Sequence, residues 1–69
     1  MPSEYLVDVW KEAIDRDSSD ENKKKWSEHL GIRAWNDGLT EPEAQKLIEA
    51  CNQTGYSVNE EDFWVAYNS

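Results

Sequence analysis

Apolar side chains recur along this chain at intervals of three and four residues, the period of an α-helix and not the alternation of a strand. In the first segment Leu6, Val9, Trp10, Ala13 and Ile14 share one helical face. Ser3 is placed to cap it, with Glu4 in the first turn where the helix dipole favours an acid. The helix is expected to stop near Arg16 or Asp17, because Asp17-Ser18-Ser19-Asp20 is a run of turn and cap residues.

Ser18 with Glu21 three places on has the form of a capping box and predicts the start of a second helix. Trp26 and Leu30 lie one turn apart on its inward side, with His29 beside them. Gly31 fits either the C′ position that ends this helix or an interruption within a helix that runs on through Ala34. Asn36-Asp37-Gly38 is a turn signal. Thr40 and Glu43 form a second capping box, with Pro42 in the permitted first turn and Leu39 placed to staple onto Ala44. Ala44, Leu47, Ile48 and Cys51 continue as an apolar stripe until Gly55. Asn59 then caps a short fourth helix with Glu60, Glu61 and Asp62 in its first turn and Val58 stapled to Phe63. Phe63 and Tyr67 continue its inward face.

A chain of 69 residues supports one domain, here residues 1–69. Folded compactly it would have a radius of gyration of about 11 Å and a surface of roughly 4,400 Å². Charged residues at 32% and hydrophobic residues at 38% border on disorder, but four Trp, three Tyr and one Phe supply enough large apolar surface for a small core. The expected fold class is all-α, a compact bundle of three to four short helices. Trp10, Trp26, Phe63 and Trp64 fit core positions, whereas Trp35 beside the turn and Tyr67 near the C-terminus are the aromatics expected to be most exposed.

Charge narrows the function. Fifteen acidic against seven basic residues give a net charge of −8, the wrong sign for direct nucleic-acid binding through phosphates. Apolar runs such as Phe63-Trp64-Val65-Ala66-Tyr67 are far too short to span a membrane, and no basic stretch followed by an apolar one marks a secretion signal, so a cytoplasmic location is expected. A single Cys51 cannot form an internal disulfide, in keeping with a reducing compartment. On its apolar stripe it reads as a small hydrophobe, not a nucleophile. His29 is the one histidine, which leaves neither a catalytic His pair nor four N/S ligands for zinc. No catalysis, cofactor or metal is expected. Counted as an EF-hand from Asp15, position 6 is Asp20 where Gly is needed and position 12 is Trp26 where Glu is needed. Residues 50–67 have the outline of a helix-turn-helix, but Glu60, Glu61 and Asp62 would face the polyanion.

The same acids form a pattern. Glu4, Asp8 and Glu12 recur at i, i+4 and i+8, opposite the Leu6, Val9 and Ala13 side, at about 6 Å per step. Asp15, Asp17, Asp20 and Glu21 extend the line past the helix end. Like charges four residues apart weaken a helix, so the stripe is not there for helix stability. Its spacing is of the order of that between phosphates on a strand, and such a surface suits a Lys/Arg groove built for nucleic acid. The plainer reading is a solvated face that keeps a small protein soluble. Lys23-Lys24-Lys25 reads as a helix surface that offsets Asp20, Glu21 and Glu28.

A tiny, acidic, Cys-poor single domain with no catalytic constellation resembles phage-encoded inhibitors of the anti-CRISPR and other DNA-mimic types. The resemblance covers the whole chain and rests on composition. It implies an inhibitor that blocks a host nucleic-acid-binding complex by occupying its basic groove. Locally, Ala50-Cys51-Asn52-Gln53-Thr54-Gly55-Tyr56-Ser57-Val58-Asn59-Glu60-Glu61-Asp62-Phe63 is similar to the end of Nif11-type leader domains, without their Gly-Gly processing site. The leading expectation is a stoichiometric inhibitor whose partner is a protein with a basic nucleic-acid-binding groove, contacted through Glu4, Asp8, Glu12, Asp15, Asp17, Asp20, Glu21 and Trp35. The alternative is a Nif11-like or other helical adaptor bound through its aromatic surface. Monomer and small homodimer both fit a core of this size.

Overall fold

A computed structural model describes residues 4–69 and contains four helices: α1 (Glu4–Arg16), α2 (Asp20–Asn36), α3 (Glu41–Asn52) and α4 (Glu60–Asn68). The described chain is an all-α bundle with a radius of gyration of 10.6 Å and a surface of 4375 Å². Ser3, the expected cap of α1, lies outside the described residues.

α1 and α2 form an antiparallel pair. The turn between them is closed by Asn22, whose side-chain amide donates to the carbonyls of Ala13 (3.1 Å) and Asp17 (2.8 Å). The cap of α2 is Ser19, one residue later than the Ser18 expected, with its hydroxyl accepting from the Asn22 N–H at 3.2 Å. Asp17 decides between the adjacent serines, because its carboxylate takes the Ser19 N–H at 3.0 Å and so holds that residue in the cap conformation. At the opposite end the Tyr5 hydroxyl accepts from Arg33 and donates to Asp37 at 3.2 Å, tying the start of α1 to the end of α2.

α2 runs through Gly31 without a break. Its C′ glycine is Gly38, with φ of 77°. The Gly38 N–H reaches the Trp35 carbonyl and the Leu39 N–H reaches that of Ala34, each at 3.0 Å, which is the Schellman pattern. Gly31 serves a different purpose. A Cβ there would stand 2.3 Å from the Phe63 carbonyl oxygen and 3.1 Å from the Ala66 Cβ. Only a glycine lets α4 come this close. The two helices run parallel, and contacts of Lys24 with Asp62, Gly31 with Phe63, and Trp35 with Tyr67 mark successive levels of their interface.

α3 begins as its sequence dictates, with the Glu43 carboxylate accepting from the backbone N–H and the hydroxyl of Thr40, both at 2.9 Å. Its stripe of Ala44, Leu47, Ile48 and Cys51 is buried against Leu6, Trp10 and Ile14 of α1, Leu30 and Ala34 of α2, Val58, and Phe63 and Tyr67 of α4. Trp10 is wholly buried and donates its indole N–H to the Tyr56 carbonyl at 3.0 Å, which fixes the α3–α4 loop. Ser27 is the buried polar residue of the core; its hydroxyl accepts from the Asn59 N–H at 3.0 Å at the entry to α4.

Trp26 and Trp64, expected in the core, are only half-buried at its edge. Tyr67, expected to be exposed, is 5% exposed, and its hydroxyl donates to the Leu39 carbonyl at 2.7 Å. The helix places Tyr67 one turn after Phe63 on the inward side, and a backbone acceptor at the start of α3 makes burial of its hydroxyl tolerable. Among the described residues no helix is long and apolar enough to cross a membrane.

Candidate acidic interface

α1 positions the acidic stripe by burying its other side. With Leu6, Trp10 and Ile14 fixed in the core, the helix turns Glu4, Asp8 and Glu12 outward, and all three are exposed. Asp15, Asp17, Asp20 and Glu21 are exposed as well, so the face continues around the α1–α2 turn. Residues 4–21 hold these seven carboxylates against two cations, Lys11 and Arg16. α2 carries Lys23, Lys24, Lys25 and Arg33 against Asp20, Glu21 and Glu28.

The carboxylates differ in how they are held. Asp15 accepts from the Lys11 ammonium at 2.6 Å, and that bond, with a second from the Tyr56 hydroxyl, holds its pKa below the usual value. Glu12 pairs with Arg16 one turn on, and both side chains are mostly exposed. The Ser19 backbone N–H, and then its hydroxyl, lower the pKa of Asp17. These are surface contacts in high dielectric, easily exchanged for those of a partner. The pairs at Lys11/Asp15 and Glu12/Arg16 have the i, i+4 spacing that could have flagged them in the sequence. Nothing local marked the Asn22 clamp or the reach of Tyr56 to Asp15.

Trp35 stands away from the α1–α2 turn, at the end of α2 that meets the start of α1. It is 60% exposed, but it sits about 22 Å along α2 from Asp20 (fifteen residues at 1.5 Å each). There it packs edge-on against Tyr67, with ring centroids 5.6 Å apart, near the Tyr5, Arg33 and Asp37 contacts. Exposed Ile32 lies one turn before it.

The two groups weighed for chemistry sit apart. Cys51 is fully buried, and burial pushes its thiol up to about 12. His29 is exposed with its ring edge on Trp26 at 5.0 Å; partial burial, then Arg33 and Lys25, lower its pKa.

Fold and surface together define a small four-helix domain with an acidic exterior. The chain matches no protein-family model, and no curated protein or solved structure matches it either.

Proposed function

We propose that this domain is a stoichiometric inhibitor that binds a protein and competes with nucleic acid for that protein's basic groove, in the manner of anti-CRISPR DNA mimics. It works by steric and electrostatic occupation, without catalysis or a cofactor, in the cytoplasm. One observation carries the reading: Glu4, Asp8, Glu12, Asp15, Asp17, Asp20 and Glu21 all remain exposed along α1, the turn after it and the start of α2. Like charges at i+4 oppose helix formation, and their retention on an outer face favours a role in binding. Association through such a face displaces counterions and is steered by long-range charge.

The test is capture of partners on the immobilised domain at low and at high salt, followed by elution with duplex DNA. A nucleic-acid-binding protein retained at low salt and released by DNA supports the reading. Reversal of Asp8, Asp15 and Asp20 to Lys should abolish retention while the helical circular dichroism persists. Retention that survives both high salt and the reversal sinks it. That outcome favours an adaptor docked through Trp35 and Ile32, a second reading supported by their exposure at one end of α2.

A further inference from the structure

Trp26 stands half-buried between two surface hollows. The one on the α1 side has a volume of about 350 Å³, and its lining is chemically divided. Half-buried Val9, Ala13 and Trp26 give it an apolar base, while exposed Glu12 and Asp17 stand at its edge. The donors of Asn22, which also lines it, are already spent on the Ala13 and Asp17 carbonyls. What the hollow offers a visitor is therefore an aromatic surface and the remaining acceptor positions of two carboxylates, Glu12 paired with Arg16 and Asp17 bonded to the Ser19 N–H.

We infer that this hollow receives an arginine side chain of the protein partner. The inference rests on the acidic-face reading above and names the group that the face recognises. Arginine fits the division: its methylene stem covers apolar surface, its planar guanidinium stacks on an indole, and its fork of donors matches carboxylates. Lysine, a compact and strongly hydrated point charge, gains less from an aromatic wall. Two features of the molecule already enact parts of the recognition. Arg16, the cation in the lining, turns its guanidinium to Glu12 and holds that carboxylate as an internal substitute. Lys25, which lines the hollow on the other side of Trp26, lies with its ammonium 5.8 Å from the indole centroid, so this ring already hosts a cation. An arriving arginine exchanges with Arg16, whose exposed one-turn pair is weakly held.

The experiment titrates the ¹⁵N-labelled domain with hexa-arginine and with hexa-lysine, peptides of equal charge. Hexa-arginine should bind about threefold to fivefold more tightly, the factor an exposed cation–π contact supplies, and should shift the Trp26 indole N–H. Glu12→Gln with Asp17→Asn should erase the preference, and Arg16→Gln should enlarge it by removing the internal competitor. Glu12 and Arg16 are exposed, and asparagine at position 17 keeps a side-chain oxygen to accept the Ser19 N–H, so the fold is retained. Equal binding of the two peptides with no shift at Trp26 overturns the arginine hollow and leaves the acidic face standing. Arginine preference that persists when Asp8, Asp15 and Asp20 are reversed keeps the hollow and removes the wider face. Binding of neither peptide overturns both.

Discussion

Gly31 of α2 and the carbonyl oxygen of Phe63 in α4 approach so closely that a β-carbon on Gly31 would lie 2.3 Å from that oxygen. The neighbouring atoms are backbone of Phe63 and Tyr67 and the β-carbon of Ala66, none of which can rotate away, so an added methyl must push the helices apart. Gly31→Ala gains up to about 1 kcal/mol of helix propensity but pays an overpacking penalty of about 1–3 kcal/mol, which wins. Thermal unfolding should show a lower Tm. If Gly31 instead terminated α2, alanine there would leave the pairing of α2 with α4 undisturbed and Tm would hold or rise.

Period and capping made much of this bundle legible in the sequence. The stripes Leu6/Trp10/Ile14 and Ala44/Leu47/Ile48/Cys51 are buried as their spacing implies, and Thr40 with Glu43 opens α3. Gly31 fitted both the end of α2 and a point within it, because the deciding fact is the approach of α4 from a distant part of the chain. The helical period put Tyr67 on the inward face of α4, but the extent of its burial escaped for the same reason: the acceptor of its hydroxyl is the carbonyl of Leu39. The outward acids of α1 were readable from the helical period alone, whereas the hollow beside Trp26 needs two helices to exist.

Tyr67 links the last helix to the start of α3 through the 2.7 Å bond from its hydroxyl to the Leu39 carbonyl. Tyr67→Phe keeps the ring contacts with Trp35, Trp64 and Phe63 and removes only that bond. The expected loss is about 1 kcal/mol, a fall in Tm of about 4–8 °C for a domain of this size. Hydrogen exchange at α4 should rise before that at α1. An unchanged Tm would mean that water replaces the bond at no cost.

Glu43 ties acid stability to the cap of α3. The Thr40 backbone N–H, and then its hydroxyl, hold the Glu43 pKa below the ordinary carboxylate value. The folded state therefore binds this proton less readily than the unfolded chain. The stabilisation is full above the unfolded pKa and is lost as pH falls through the lower folded one. Glu43→Gln lacks the charge at every pH. The Tm advantage of the parent over this variant should be present at pH 6 and shrink towards pH 3. A constant gap would show that the charge on Glu43 contributes nothing through Thr40.

Cys51 gives a probe of global opening. Its side chain is fully buried among Ala44, Leu47 and Ile48, and that burial raises the thiol to about 12. Because the thiolate is the reactive form, a disulfide reagent at pH 8 should label the native domain only at the rate at which it unfolds. Denaturant should accelerate labelling in step with the fraction unfolded. The linkage runs opposite to that of Glu43: the folded state retains a proton that the unfolded chain releases, so stability declines as pH rises from about 9 towards 12. Rapid labelling in native buffer would place Cys51 in a region that opens locally.

Asp8 separates the needs of the fold from those of binding. It lies midway along the outward face of α1, four residues from Glu4 on one side and from Glu12 on the other. Asp8→Lys turns two like-charge spacings, to Glu4 and Glu12, into opposite-charge ones and one opposite-charge spacing, to Lys11, into a like-charge one, each worth about 0.2–0.5 kcal/mol, so the net gain is that of one pair. Tm should therefore rise slightly at low salt, and the gain should fade as salt screens it. If the face exists to meet a basic groove, the same substitution should weaken capture of the partner although the domain has become more stable. A side chain kept only for solubility would show the rise in Tm with no loss of binding. Opposite movements of Tm and affinity in one variant would mark Asp8 as a residue retained against the interest of its own helix.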